Sequence, residues 1–176
     1  MSALASKLRG MTTPRLPHGR TLLHRVLEAG LLGHLERLGF TRHTYEFHRP
    51  RGVLTEVITL SIRTERRPPG QRVFWVIASL TATPPRARFD VDYRTWTLDP
   101  GFDAADFAVG LTEHLHRRAL PALAGRGAED AARWFEYASA DEAVLLWRAL
   151  GREDEVARVE AVVRRPAVLR DDEAPF

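Results

Sequence analysis

The sequence predicts an α+β fold: an antiparallel sheet of about four strands packed on a long N-terminal helix, with a C-terminal helical group. Three observations predict it. Leucines recur at helical spacing from Leu22 to Leu38. The middle of the chain alternates apolar and polar residues between short proline- and glycine-bearing breaks. After Asp103 the spacing becomes helical again.

The first 19 residues have little periodicity and read as a mobile arm. From Arg20 onward Leu22, Leu23, Val26, Leu27, Leu31, Leu32, Leu35 and Leu38 fall on one helical face, with Thr21 as the expected N-cap. Gly30 and Gly33 weaken the middle of that helix by about 1 kcal/mol each relative to alanine, and close packing on the sheet is the reason the sequence suggests for them. Eight buried aliphatic side chains, each contributing about 1.5–3 kcal/mol, outweigh the loss. Gly39 then supplies a left-handed stop, and Phe40 folds back over Leu35.

Strands follow. Thr41 to Arg49 alternates as a single strand, and Pro50-Arg51-Gly52 makes a turn. Leu54, Ile58, Leu60 and Ile62 share one face of the next strand, and Glu56 interrupts that apolar face. Val73 to Leu80 is apolar on both faces, as an interior strand requires. Phe89, Val91 and Tyr93 alternate in a last strand ending near Trp96 and Leu98. The short connections favour an antiparallel meander.

The remaining elements are helical. Asp103 caps a helix with Phe107, Leu111 and Leu115 inside, ending at Pro121 and Gly125. A short helix carries Trp134 and Phe135. Ser139 and Glu142 form a capping box for a helix to Leu150, closed by Gly151. A final helix carries Val156, Val159 and Val163. Residues 20–165 make one domain, and 166–176 a short acidic tail.

Composition narrows the function. With no cysteine, disulfides, thiolate nucleophiles and cysteine zinc sites are out. No apolar run is long enough for a signal peptide or a membrane span, so a cytoplasmic location and no membrane partner are expected. Lys7 is the only lysine among 26 basic residues. Arginine's fork suits phosphate, but the net charge of +3 is small for a nucleic-acid binder, and of a phosphate surface and codon bias the second is the favoured reading of the excess. Residues 1–72 carry 13 basic and 5 acidic groups, while 73–176 carry 13 and 18, a polarity that can steer a charged partner.

The ordered features resemble the bacterial domain of unknown function 4304. The likeness runs from Thr21 to Leu150. It is carried by the leucine-rich helix, Leu38-Gly39-Phe40, the strand ending in Phe47-His48-Arg49, Leu120-Pro121-Ala122-Leu123, and the Ser139 to Leu150 segment. The family pattern often has a glutamine in its second strand, where this chain has Thr59, Leu60 and Ser61. The family has no settled activity, so the resemblance implies a fold and no functional residues.

No nucleophile elbow, phosphate loop or His-Glu-x-x-His spacing occurs, and no metal or cofactor is expected. His114 and His116 stand about 200° apart on a helix, and His43 and His48 have opposite strand parity, so neither pair is expected to share ligands. Glu56 is the residue with chemical potential. On an apolar face it is either a desolvated acid or base, with His43 and Tyr45 beside it, or a structural residue, salt-bridged to an arginine or exposed at the edge of the sheet, which is the favoured reading. Arg42, His48, Arg49 and Arg63 are candidate binding residues around it. Three functions are open: a non-enzymatic protein-binding domain of the immunity or accessory-factor type, which leads; an enzyme using Glu56 and a histidine for acid–base work on an anionic substrate; and a nucleic-acid binder using the arginines of the first half.

Overall fold

The computed structural model describes residues 18–64, 72–82, 87–99 and 101–163. Most of the expected arm, 1–17, and the tail, 166–176, lie outside them. The fold is α+β: a five-stranded antiparallel meander of order β1-β2-β3-β4-β5, with helices before and after it.

The N-terminal helix begins one turn earlier than Thr21 suggested. His18 is the N-cap, its Nδ1 accepting from the Arg20 N–H, so Gly19 belongs to the helix and not to an arm. Helix α1 (Gly19–Val26) passes through a π-turn (Leu27–Leu31) into α2 (Leu32–Arg37). Gly30 explains the interruption: its φ is 120°, and a Cβ there would meet nothing within 4 Å. Its role is conformational rather than the close sheet packing expected of it. Leu22, Leu23, Val26, Leu27, Leu31 and Leu35 are all buried. The corner forms as read. Gly39 has φ 85°, the Phe40 N–H reaches the Leu35 carbonyl at 3.1 Å, and the Gly39 N–H reaches that of Glu36 at 2.9 Å. This is the double bond of a Schellman stop.

The first predicted strand is two. β1 (Thr41–His43) and β2 (Glu46–Arg51) form a hairpin around Thr44, which takes φ 59° without being glycine. The fifth strand comes from this fold-back. Pro50 and Arg51 lie inside β2, so the turn to β3 (Leu54–Thr64) sits one step later, at Gly52 with φ 61°. β4 (Arg72–Ala82) is interior, as its two apolar faces require, and β5 (Phe89–Leu98) closes the sheet. A bulge between Ala78 and Ser79 shifts the β4–β5 register.

One sheet face carries Phe47, Leu54, Ile58, Leu60, Phe74, Val76 and Leu80 into the core. Helices α1, α3 (Ala104–His114) and α4 (Leu120–Ala124) pack there. Asp103 caps α3 as expected, its Oδ1 accepting from the Ala105 and Asp106 N–H groups at 2.8 and 2.9 Å. A second π-turn (Leu115–Ala119) joins α3 to α4. Pro121 therefore does not end the helix. It falls just after the last i→i+5 bond, Leu120 to Leu115, and the helix stops at Gly125.

Helices α5 (Ala128–Ala138), α6 (Ala140–Ala149) and α7 (Glu153–Val163) form the C-terminal group around the buried Trp147, whose indole N–H donates to Glu136 at 2.9 Å. The capping box expected at Ser139 does not form. Glu142 is fully buried and accepts from the Ala87 N–H at 2.8 Å on both oxygens, so a tertiary contact takes the carboxylate from the local one. Gly151 closes α6 with φ 71°. No helix among the described residues is long and apolar enough to cross a membrane.

Candidate functional site

Glu56 is 1% exposed and held by two guanidiniums. Arg49 stands opposite it in the β2–β3 register and donates through Nε at 2.6 Å, and Arg51 lies 3.1 Å away on the other oxygen. Each arginine has a second duty. Arg49 donates to the Leu38 carbonyl at 2.9 Å, and Arg51 to the carbonyls of Leu123, at 2.8 Å, and Arg126. These carbonyls lie at the C-terminal ends of α2 and α4, where peptide dipoles favour cations. Glu56 is the centre of a clamp tying two helix ends to the sheet, in keeping with the salt-bridge reading.

The acid–base constellation drawn around Glu56 is not assembled. Glu56 points into the core face, and the register puts His43 on the opposite face with Glu46 and His48. Tyr45 sits in the hairpin turn, packed against the core. His43 and His48 do meet, with ring centroids 4.5 Å apart, because the turn at Thr44 folds one beside the other. Parity along one continuous strand had separated them. His48 also reaches Glu46 at 3.2 Å, and Arg88 grips Glu46 at 2.7 Å. That carboxyl is held below its usual range although burial opposes the shift; hydrogen bonds from Arg88 and His48 prevail. Arg42 donates to the Thr44 carbonyl at 2.8 Å, and Arg63 lies over Trp75 at 5.1 Å. His114 and His116 point apart, to Asp92 and to His34. Among the described residues no three His, Asp or Glu side chains gather as a metal site.

The more open chemistry lies at the other edge of the sheet. Among the described residues β5 is paired on one side only. Between it and α3 run two clefts, of about 480 and 430 Å³, which share Trp96 and Phe107 and so form one groove. Its aromatic wall is built edge to face: Trp96 to Phe107 at 5.6 Å and Trp96 to His114 at 5.3 Å. Gly110 faces the groove from α3 with an ordinary helical backbone, and a Cβ there would meet open space.

One end of the groove is cationic. Arg94 lies over Trp96 at 4.8 Å, Arg117 is bridged to Glu113 at 2.8 Å, and Arg118 has no ion-pair partner among the described residues. Asp106 and Glu113 also line this stretch. His114 is buried behind it. Its Nε2 is 3.0 Å from Asp92 Oδ2, close but poorly aligned for a hydrogen bond, and its Nδ1 is 3.4 Å from the Arg94 guanidinium. A guanidinium can only donate, so Nδ1 accepts and the ring proton sits on Nε2. Burial first, then the charges of Arg94 and Arg118, push the His114 pKa below its ordinary value against the pull of Asp92. The other end is acidic, with Asp99 and Asp103 beside Leu98 and Phe102.

None of these groove residues was singled out as a site from the sequence. The available signals were weak: Asp92 and Arg94 on a parity with Trp96 and Leu98, and Gly110 inside a helix with no cap to make. No family model, curated protein or solved structure matches this chain.

Proposed function

We propose that this chain is a non-enzymatic protein-binding domain, of the accessory or immunity type, that takes an extended segment of another protein along β5 and into the β5–α3 groove. The observation that carries the reading is the conjunction of a ten-residue strand whose outer edge is free among the described residues and an aromatic groove beside it. A free edge offers unpaired N–H and C=O groups to an added strand, and adjacent pockets accept its alternate side chains. Arg42, Arg49 and Arg51, three arginines of the first half, are spent on carbonyls and on Glu56, which takes them out of a nucleic-acid surface. The resemblance of Thr21 to Leu150 to the domain of unknown function 4304 is in keeping with the protein-binding reading, and we place the protein in the cytoplasm.

Gly110 gives the test. Gly110→Phe fills the groove and Gly110→Ala leaves it open, and both replace glycine by a better helix former. A partner captured from lysate of the source cells on the wild type and on Gly110→Ala, and at least tenfold less on Gly110→Phe, supports the reading. Equal capture on all three, or no capture at moderate salt, ends it.

A further inference from the structure

The groove has an electrical order. Three arginines line one end against two carboxylates, Asp106 and Glu113; Arg117 is partly spent on Glu113 at 2.8 Å, and Arg94 and Arg118 keep that end net positive. Asp99 and Asp103 line the other end, where Asp103 already caps α3. Between them lie Trp96 and Phe107. From Arg94 to Leu98 the strand covers roughly 13 Å at about 3.3 Å per residue, room for an extended segment of about five residues.

Resting on the reading of the groove as a peptide site, we infer that it selects a bipolar segment: a carboxylate at the Arg94 and Arg118 end, a cation at the Asp99 and Asp103 end, and an apolar side chain over Trp96 and Phe107. Charge complementarity carries the argument. A segment of one sign would meet like charge at one end of the groove, and juxtaposed like charges reject a partner. Every strand pair in the sheet is antiparallel, and antiparallel addition is the slightly more stable mode. A segment antiparallel to β5 enters at Leu98 and leaves at Arg94. Its cation therefore lies N-terminal and its carboxylate C-terminal. That carboxylate is either a side chain or the chain terminus of the partner.

Fluorescent hexapeptide pools test this by anisotropy on the full chain. All share a central Leu or Phe position. One pool has Lys near the N-terminus and Glu near the C-terminus, a second has the two exchanged, and a third has Thr at both. Each is made as free acid and as amide. The ordered pool is expected to bind at least tenfold tighter than the others, and Arg118→Glu, an exposed position, to reduce that preference to under threefold. A gain confined to the free acid identifies a chain terminus as the carboxylate; equal binding of acid and amide identifies a side chain. If the exchanged or uncharged pool binds as well, and binding is lost in Gly110→Phe, the charge order is wrong and the groove reading stands. If no pool binds, or Gly110→Phe binds as well as the wild type, both fall.

Discussion

Two charged clusters lie on the helix-covered face of the same sheet, and they are built on opposite terms. On the central strand Glu56 is closed off from water, paired with Arg49 and Arg51, and each of those arginines gives a further donor to helix-end carbonyls. At the β5 edge Asp92, Arg94 and His114 meet imperfectly, beside a groove where Arg118 has no ion-pair partner among the described residues. A buried charge is tolerated when its partners are complete, and a complete set has nothing left for a ligand. An incomplete set at an open groove keeps donors to offer. The contrast teaches that burial alone does not mark a site; unspent hydrogen-bonding capacity next to space does.

Substitutions sharpen the contrast, and the largest effect belongs to the clamp. Glu56→Gln leaves two guanidiniums facing each other and should cost about 3–5 kcal/mol of unfolding free energy, read by urea denaturation. A loss below about 1 kcal/mol would mean the clamp is not structural. Gly39→Val comes next, because a β-branched residue at φ 85° strains the corner by about 1–3 kcal/mol. In the groove the sign reverses: Gly110→Ala should raise stability by about 0.5–1 kcal/mol, since no backbone or packing demand holds the glycine there.

The pH dependence follows from the His114 environment. Its folded pKa lies below the ordinary 6.5, so the folded state favours the neutral ring and the unfolded state takes up the proton first. The contribution is present above about pH 6.5 and is lost as pH falls through the folded value. Melting curves between pH 7.5 and 5 should show this decline, and His114→Gln should flatten it. A slope unchanged in His114→Gln would assign the effect elsewhere, with His34 the next candidate, its pKa lowered by burial and by His116 and Arg37. The smallest effect is expected of Arg118→Ala, within about 0.5 kcal/mol of the wild type, because Arg118 is exposed and has no ion-pair partner among the described residues.

What the sequence made legible was local. Gly39-Phe40, the Asp103 cap, the Gly151 stop and the period of β3 to β5 depend on neighbours in the chain, and each is where the residues put it. What it hid depended on distant groups. Thr44 gave no turn signal, because the two turn residues, Thr44 and Tyr45, include no glycine, proline or asparagine. Glu142 looked like half of a capping box until Ala87, 55 residues away, claimed it. Glu56 was visible as an oddity because a charge breaks an apolar alternation, and its arginines were within reach across one turn. The groove joins Arg94 on a strand to Arg117 and Arg118 on a π-turn, and no short spacing records that meeting.

The free edge of β5 also bears on how the protein behaves when nothing occupies it. A ten-residue exposed strand is a template for uncontrolled edge-to-edge growth. Asp92 and Arg94 point inward from that edge, where a second copy stacking blindly would have to bury them beside its own. The same side chains that frame the groove thus act as gatekeepers of solubility. Replacing both by threonine would leave a β-rich stretch from Val91 to Leu98 with no charge in it, and the isolated protein should then form fibrils that bind thioflavin.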